Sequence, residues 1–182
     1  AIKSKLPPCI SDQNAYRDNC FGIYLYAENT KWPGDKYIGE FKDGRFNGQG
    51  KWIHGPKSPD AGSIYIGSFK DDEFYGLGTW IYPNGDKYVG QWKDDMCNGQ
   101  GTHTWSNGHK YVGQWKNDMQ HGEGTYTWSN GNKYSGIWKK DKQNGEGIFI
   151  FANGDRYIGY WKDNQKHGPG TFIYANGDKF IG

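Results

Sequence analysis

Apolar and polar residues alternate along most of this chain, in short runs that contain glycine. Residues 88–93 read YVGQWK, so Tyr88, Gly90 and Trp92 occupy every second position. Residues 99–105 read GQGTHTW and follow the same period of two. Because successive side chains of a β-strand point to opposite faces, each run places its large rings on one face. The pattern therefore predicts two kinds of β-strand that alternate along the chain.

The two kinds of run repeat with a fixed period of 23 residues. The aromatic residue that opens the first run recurs at Tyr65, Tyr88, Tyr111, Tyr134, Tyr157 and Phe180. Upstream, Tyr37 and Tyr65 are 28 residues apart, and insertions at 27–34 and 55–63 lengthen the same loop of two successive repeats. An internal period of this length indicates a tandem array of one supersecondary unit.

Each repeat is predicted to be one β-hairpin. Five or six polar residues, such as those at 93–98, separate the two strands, and we expect them to form the hairpin loop. Asn-Gly dipeptides such as Asn107-Gly108 then lead into the next hairpin, because both residues accept a positive φ in tight turns. We expect the glycines at alternate strand positions to let a neighbouring aromatic ring lie flat on the backbone.

The composition points to an aromatic core. Leu, Ile, Val and Phe supply only 28 of the 182 residues, whereas 9 Trp and 14 Tyr are present. Large rings bury much apolar surface per residue, while 29 Gly and 3 Leu disfavour helices. No apolar run reaches the roughly 18 residues of a transmembrane helix. A net charge of +2 does not support a nucleic-acid partner.

The spacing Tyr-x-Gly-x-Trp-x6-Gly-x-Gly-x6-Gly resembles the MORN repeat (membrane occupation and recognition nexus) from about Phe21 to Gly182. The resemblance implies an all-β fold, namely an elongated, single-layer, twisted antiparallel β-meander of stacked β-hairpins with a groove lined by aromatic residues. Six hairpins and flanking half-units would give about 13–14 strands. Residues 1–20 lie outside the repeat and are expected to form an N-terminal cap.

The resemblance also implies a non-enzymatic role in scaffolding, protein binding, self-association or membrane apposition. The residues agree, because the five histidines and three cysteines show neither a zinc-ligand spacing nor a nucleophile beside a base. We therefore expect no catalytic residue, no metal site and no cofactor.

Two aromatic columns are candidates for binding a protein or peptide along the groove. Their tryptophans are Trp92, Trp115, Trp138 and Trp161 in the first column, and Trp105 and Trp128 in the second. Trp and Tyr are enriched in binding hot spots. The alternative is that the rings bury one another, because a single-layer sheet has no other core.

A lysine column offers a second class of function, the binding of anionic lipid at a membrane surface. It comprises Lys93, Lys116, Lys139 and Lys162, each directly after a Trp. Alternation places these lysines on the face opposite the rings, beside aliphatic residues such as Val112 and Ile158. The alternative is a solvated face, because Asp94 and Asp163 directly follow two of these lysines.

The two ends of the chain suggest further features. We hypothesise that the N-terminal segment folds over the first strand and protects the sheet edge, and that Cys9 and Cys20 form a disulfide that closes a short loop. Two free thiols are the alternative. A disulfide would indicate an exported or periplasmic protein, and its absence a cytoplasmic one, possibly at the membrane surface in the lipid-binding case. The sequence stops two residues into a further strand, so we expect either a continuing chain or a homodimer through the C-terminal edge.

Overall fold

The protein is described by a computed structural model that covers residues 2–12 and 14–182. Fourteen β-strands and no helix occur in these residues, and consecutive strands within each part of the chain pair antiparallel. The predicted all-β meander of hairpins is therefore confirmed. The described residues include no helix that is long and apolar enough to cross a membrane.

The chain divides into two compact units, and unit 1 comprises residues 1–96. Its strands follow one another in the order of the sequence, each paired with the next. They are β1 (Cys20–Leu25), β2 (Lys36–Lys42), β3 (Arg45–Ile53), β4 (Ile64–Lys70), β5 (Glu73–Ile81) and β6 (Lys87–Lys93). The two insertions predicted from the sequence lie between β1 and β2 and between β3 and β4.

Unit 2 comprises residues 97–182 and repeats the same hairpin without insertions. Its strands also pair in sequence order. They are β7 (Met96–Thr104), β8 (Lys110–Lys116), β9 (Met119–Thr127), β10 (Lys133–Lys139), β11 (Lys142–Ile150), β12 (Arg156–Lys162), β13 (Gln165–Ile173) and β14 (Lys179–Ile181).

The hairpin loops are shorter than the sequence predicted. Between β8 and β9 only Asn117 and Asp118 lie outside the strands, with φ of 48° and 63°. Two consecutive positive φ angles define the tight turn whose twist matches that of paired strands, and Asn and Asp tolerate this conformation. The polar residues that follow the turn therefore belong to the second strand, so the predicted loop of five or six residues is wrong.

The turn residues also join neighbouring hairpins, which the sequence did not indicate. Asp118 donates its backbone N–H to the Cys97 carbonyl at 3.2 Å, and its Oδ1 accepts the Cys97 N–H at 2.7 Å. Asp72 and Phe46 form the same pair of bonds in unit 1, at 3.1 and 2.8 Å. The hairpin tips from the β4–β5 turn onward therefore satisfy backbone groups at the start of an earlier hairpin's second strand.

The core of each repeat is a tyrosine ring laid over glycine. Tyr111 is fully buried, and a Cβ atom at Gly124 would lie only 2.2 Å from its Oη. The hydroxyl donates to the Gln114 carbonyl at 3.0 Å, where the register of β8 and β9 shifts between Gly113 and Trp115. The expectation that glycines admit a flat ring is confirmed, because any side chain there would collide with the tyrosine.

The N-terminal segment lies along β1. Cys9 and Cys20 form a disulfide with their Cα atoms 4.9 Å apart. The Cys9 N–H donates to the Phe21 carbonyl, and the Phe21 N–H donates to the Pro7 carbonyl, both at 2.8 Å. The segment thereby occupies backbone groups of β1 that β2 does not reach.

Burial alternates along the strands and separates two faces in each unit. In β8, Tyr111 and Trp115 are buried, whereas Val112 and Lys116 are exposed. We call the side with the Tyr and Trp rings the aromatic face, and the opposite side, which carries Val112 and its counterparts, the aliphatic face.

Candidate functional site

The first aromatic column predicted to bind a partner lies in the core. Trp92, Trp115, Trp138 and Trp161 are only 4–7% exposed. Trp138 packs edge-on against Tyr111 and Tyr134, with both ring centroids 5.3 Å away, and its Nε1 donates to the Gly124 carbonyl at 3.1 Å. These side chains are held by intramolecular packing, as the structural alternative for the rings anticipated.

The second aromatic column is more accessible. Trp105 and Trp128 are half-buried and line a groove of about 660 Å³ on the aromatic face of unit 2. Tyr126 lies between the two rings, with its ring centroid 5.4 Å from Trp105 and 4.6 Å from Trp128. Of the six tryptophans chosen from the sequence, these two could meet a ligand.

A larger groove lies on the aliphatic face of unit 2, with a volume of about 1010 Å³. We call it the aliphatic trough. Glycines of the strand centres form part of its lining. The other lining residues are Gln100, Val112, Glu123, Thr125, Ser135, Ile137, Glu146, Ile148, Ile158, Tyr160, Pro169, Thr171 and Ile181. The sequence placed Val112 and Ile158 on this face but did not indicate a groove there.

The apolar side chains of the trough remain accessible. Val112, Ile137, Ile148, Ile158 and Tyr160 are 37–45% exposed. Ile148 and Ile158 are paired across β11 and β12, so the exposed aliphatic surface is continuous over neighbouring strands. Contiguous apolar surface of this kind marks an interaction site more often than scattered single residues do.

The trough also contains a polar component. The Tyr160 hydroxyl donates to Glu146 Oε1 at 2.6 Å, and this hydrogen bond raises the pKa of Tyr160 because it favours the protonated phenol. Thr125 and Ser135 share a hydrogen bond of 2.9 Å across β9 and β10. Polar groups beside aliphatic ones can orient a ligand that the apolar surface alone would not.

The four lysines predicted as a lipid site are all exposed, and none of them lines the trough. Lys116 and Lys139 lie at the ends of their strands. In the described residues, Lys142 forms an ion pair with Asp163 at 3.5 Å. Because these lysines are exposed, water screens their charge.

The two insertions of unit 1 meet at a buried polar cluster that the sequence did not predict. Asp35 is fully buried, and its carboxylate accepts hydrogen bonds from Trp52 Nε1 and the Gly55 N–H, both at 2.8 Å. His54 Nδ1 lies 3.1 Å from Asp35 and 3.0 Å from the Ser58 hydroxyl. Burial lowers the pKa of His54, although Asp35 and Asp60 oppose that effect.

This cluster contains the residue types of a hydrolase triad but not its geometry. In a triad the carboxylate and the nucleophile contact opposite nitrogens of the imidazole. Here Asp35 and Ser58 both contact Nδ1, so the two groups do not lie on opposite nitrogens of the His54 ring. The cluster instead fastens the loop after β3 to the residue before β2.

The sequence matches the MORN repeat family over six segments, at residues 37–55, 65–87, 88–110, 111–133, 134–156 and 157–179. The segments cover more than half of the chain. A search of curated proteins gave no significant match.

Several solved structures are similar at low identity. The TCP domain of Drosophila melanogaster SAS-4, in complex with a proline-rich motif of Ana2, is 15% identical over 85% of this chain and 86% of that chain, with a TM-score of 0.45. The G-box domain of the microcephaly protein CPAP is 14% identical over 89% of this chain and 97% of that chain, with a TM-score of 0.43. Both TM-scores are below 0.5, so these similarities contribute nothing to the functional proposal.

Proposed function

This chain belongs to the MORN-repeat family, and on that premise we propose that it is a non-enzymatic scaffold that binds a segment of a partner protein in the aliphatic trough. One observation carries the choice of site. The trough residues Ile148 and Ile158 are 38% and 41% exposed, whereas Trp138 and Trp161 of the first aromatic column are 4% and 7% exposed.

The exposed aliphatic surface can supply binding energy. Burying an Ile or Val side chain completely is worth about 1.5–3 kcal/mol, and the trough side chains retain part of that surface. The buried tryptophans have little surface left to desolvate, and moving them toward a partner would disrupt the core. A partner segment in the trough would therefore gain more binding free energy than a segment that lies over the first aromatic column.

The proposal can be tested with peptides selected from a random display library on the intact chain. We expect the double substitution Ile148→Gln and Ile158→Gln to weaken the selected peptides at least about tenfold, because it removes roughly 2 kcal/mol or more of apolar contact. Ile66→Gln is the matched control, because Ile66 holds the same repeat position as Ile158 but lies in unit 1.

Two results would contradict this choice of site. The selected peptides could bind the double variant as tightly as the original chain. They could also lose binding on Trp128→Ala while circular dichroism shows the fold intact, which would place the site on the aromatic face.

Binding of anionic lipid is a second candidate, because Lys116, Lys139 and Lys162 are exposed on the face that holds the trough. Each lysine near a strongly anionic surface contributes about 1 kcal/mol. Binding to phosphatidylserine vesicles that falls steeply with salt, and is lost when the three lysines become Gln, would support this candidate. If the chain does not bind these vesicles at low salt, the lipid-binding candidate is refuted.

A further inference from the structure

The aliphatic trough has a charge that its own side chains do not balance. Glu123 and Glu146 are the only charged residues in its lining. Among the residues that the structure describes, neither carboxylate lies within 4.0 Å of a Lys or Arg nitrogen. The trough therefore has a formal charge of −2 set within aliphatic surface.

Each glutamate is paired with a large side chain of the next strand. Glu123 is paired with Ile137 across β9 and β10, and Glu146 with Tyr160 across β11 and β12. The Tyr160 hydroxyl binds only Oε1 of Glu146. Both glutamates are exposed, so a ligand in the trough would meet carboxylate oxygens and aliphatic groups together.

The fold itself does not require an acid at these positions. The corresponding residues of the neighbouring repeats are Leu77, Gln100 and Pro169, one period of 23 residues apart. An aliphatic, an amide and a proline are thus all compatible with this strand position. The two negative charges therefore call for an explanation other than the stability of the hairpin.

We propose that the aliphatic trough recognises a basic, apolar protein segment, in which two Lys or Arg side chains on one side pair with Glu123 and Glu146 while apolar side chains pack on Ile148 and Ile158. This inference rests on the proposed function, because it names the chemistry of the segment that the same trough binds. Two carboxylates in one groove favour a cationic ligand by charge complementarity, and Arg can contact a carboxylate with two hydrogen bonds.

The spacing of the two glutamates restricts the ligand further. They lie two strands apart, which is about 9.6 Å at about 4.8 Å per strand. Every third residue of a polyproline II segment points to the same side, about 9.3 Å along, whereas same-side residues of a β-strand are about 6.6 Å apart. A segment with a basic residue at every third position in polyproline II conformation therefore matches both carboxylates.

The test uses a fluorescent peptide of Arg-Pro-Pro repeats, about 12 residues long, and the intact chain. We expect the peptide to bind, and the double substitution Glu123→Gln and Glu146→Gln to weaken binding about tenfold, since it removes two charge-assisted contacts. Gln is a residue that the same repeat position already holds at Gln100. Glu73→Gln in unit 1 removes one negative charge outside the trough and should change binding less than about twofold.

A gain of affinity provides an independent readout. Gln100→Glu would add a third carboxylate to the row, one repeat from Glu123. We expect it to strengthen binding of the Arg-Pro-Pro peptide about threefold and to steepen the dependence on salt. A peptide of Gln-Pro-Pro repeats should show neither response.

Equal binding of the Arg-Pro-Pro peptide to the original chain and the glutamate double variant would overturn the inference. If library peptides still depend on Ile148 and Ile158 but not on the glutamates, the trough remains the binding site and only its charge preference is refuted. If substitution of neither the isoleucine pair nor the glutamate pair weakens peptide binding, the proposed function is refuted as well. Binding to phosphatidylserine vesicles through the lysines, without binding of the peptide, would also overturn the inference.

Discussion

The two units of the molecule differ in the residue type at one repeat position. It follows the hairpin tip, and it holds Phe46 in unit 1 but Gln143 in unit 2. Phe46 stacks on Tyr37 with 4.0 Å between the ring centroids. Gln143 lies opposite Trp138 across β10 and β11 and is equally buried. The same backbone therefore accepts a ring or an amide beneath its aromatic face.

The difference decides how closed the aromatic face is. In unit 1, the ring of Phe46 also reaches Trp52, with 5.5 Å between the centroids, and Trp52 is buried. In unit 2, Gln120 and Gln143 line the groove of about 660 Å³, and Phe149, at the repeat position of Trp52, is only half-buried. Replacing rings by amides opens a groove without changing the strand pairing.

The largest expected effect comes from removing the stacked ring of unit 1. We expect Phe46→Ala to lower the free energy of unfolding by about 3–5 kcal/mol, because it leaves a cavity among buried rings. Gln143→Ala should cost only about 1 kcal/mol. Hydrogen exchange of the amides in β3 and β11 measures each effect in its own unit, and equal losses would contradict the comparison.

The disulfide should contribute only to unit 1. Replacing Cys9 and Cys20 by Ser is expected to reduce stability by about 3 kcal/mol in the chain-entropy model, for a short closed loop. Amides of β1 should then exchange faster, while those of β11 should not change. Cys97→Ser serves as the control for loss of a thiol. A double variant with unchanged exchange in β1 would show that the bridge adds nothing.

A ring can be added to unit 2 to imitate unit 1. Gln143→Phe should stabilise unit 2 by about 1 kcal/mol, because the new ring can stack on Tyr134 as Phe46 stacks on Tyr37. Gln143→Leu adds apolar surface but no ring that could stack on Tyr134, so it should stabilise unit 2 by less. Thermal unfolding monitored by tryptophan fluorescence compares the variants. A destabilised Phe variant would indicate that unit 2 lacks the room for a ring.

The smallest effect should be a pH dependence of the stability of unit 1. Burial lowers the pKa of His54 from its ordinary value of 6.5, against the opposing charges of Asp35 and Asp60. The unfolded chain therefore binds the proton at a higher pH than the folded unit, and stability should fall as pH drops below about 6.5. His54→Gln should abolish this component in β3 exchange. If the pH dependence of exchange in β3 persists in the His54→Gln variant, another titratable group causes it.

The regular parts of the molecule could be predicted because they follow from short-range chemistry. The period of two around Tyr111 and Trp115 fixes which side chains share a face, and the period of 23 residues fixes the hairpin. The flat ring over Gly124 was predicted from the alternating glycines alone. The length of the turn was not, because the polar residues after Asp118 are as typical of a loop as of an exposed strand.

The candidate site was predicted less well. Trp105 and Trp128 were assigned to a column of their own, but the sequence did not indicate that this column is the more accessible one. Their difference arises from packing, since the ring of Tyr111 packs edge-on against Trp115 of its own strand and against Trp138 two strands away. Glu123 and Glu146 were not among the predicted site residues, although they differ from Gln100 at one repeat position, and that difference was the signal available.

The sequence by itself determined the all-β class, the hairpin repeat and the two faces of each strand, because backbone geometry and side-chain alternation act over a few residues. Only the tertiary structure decided which face of unit 2 holds the larger groove, which rings are buried, and that Asp35 and His54 meet across an insertion. Those properties depend on several strands packing together, and residues far apart in the sequence come into contact only once the sheet has formed.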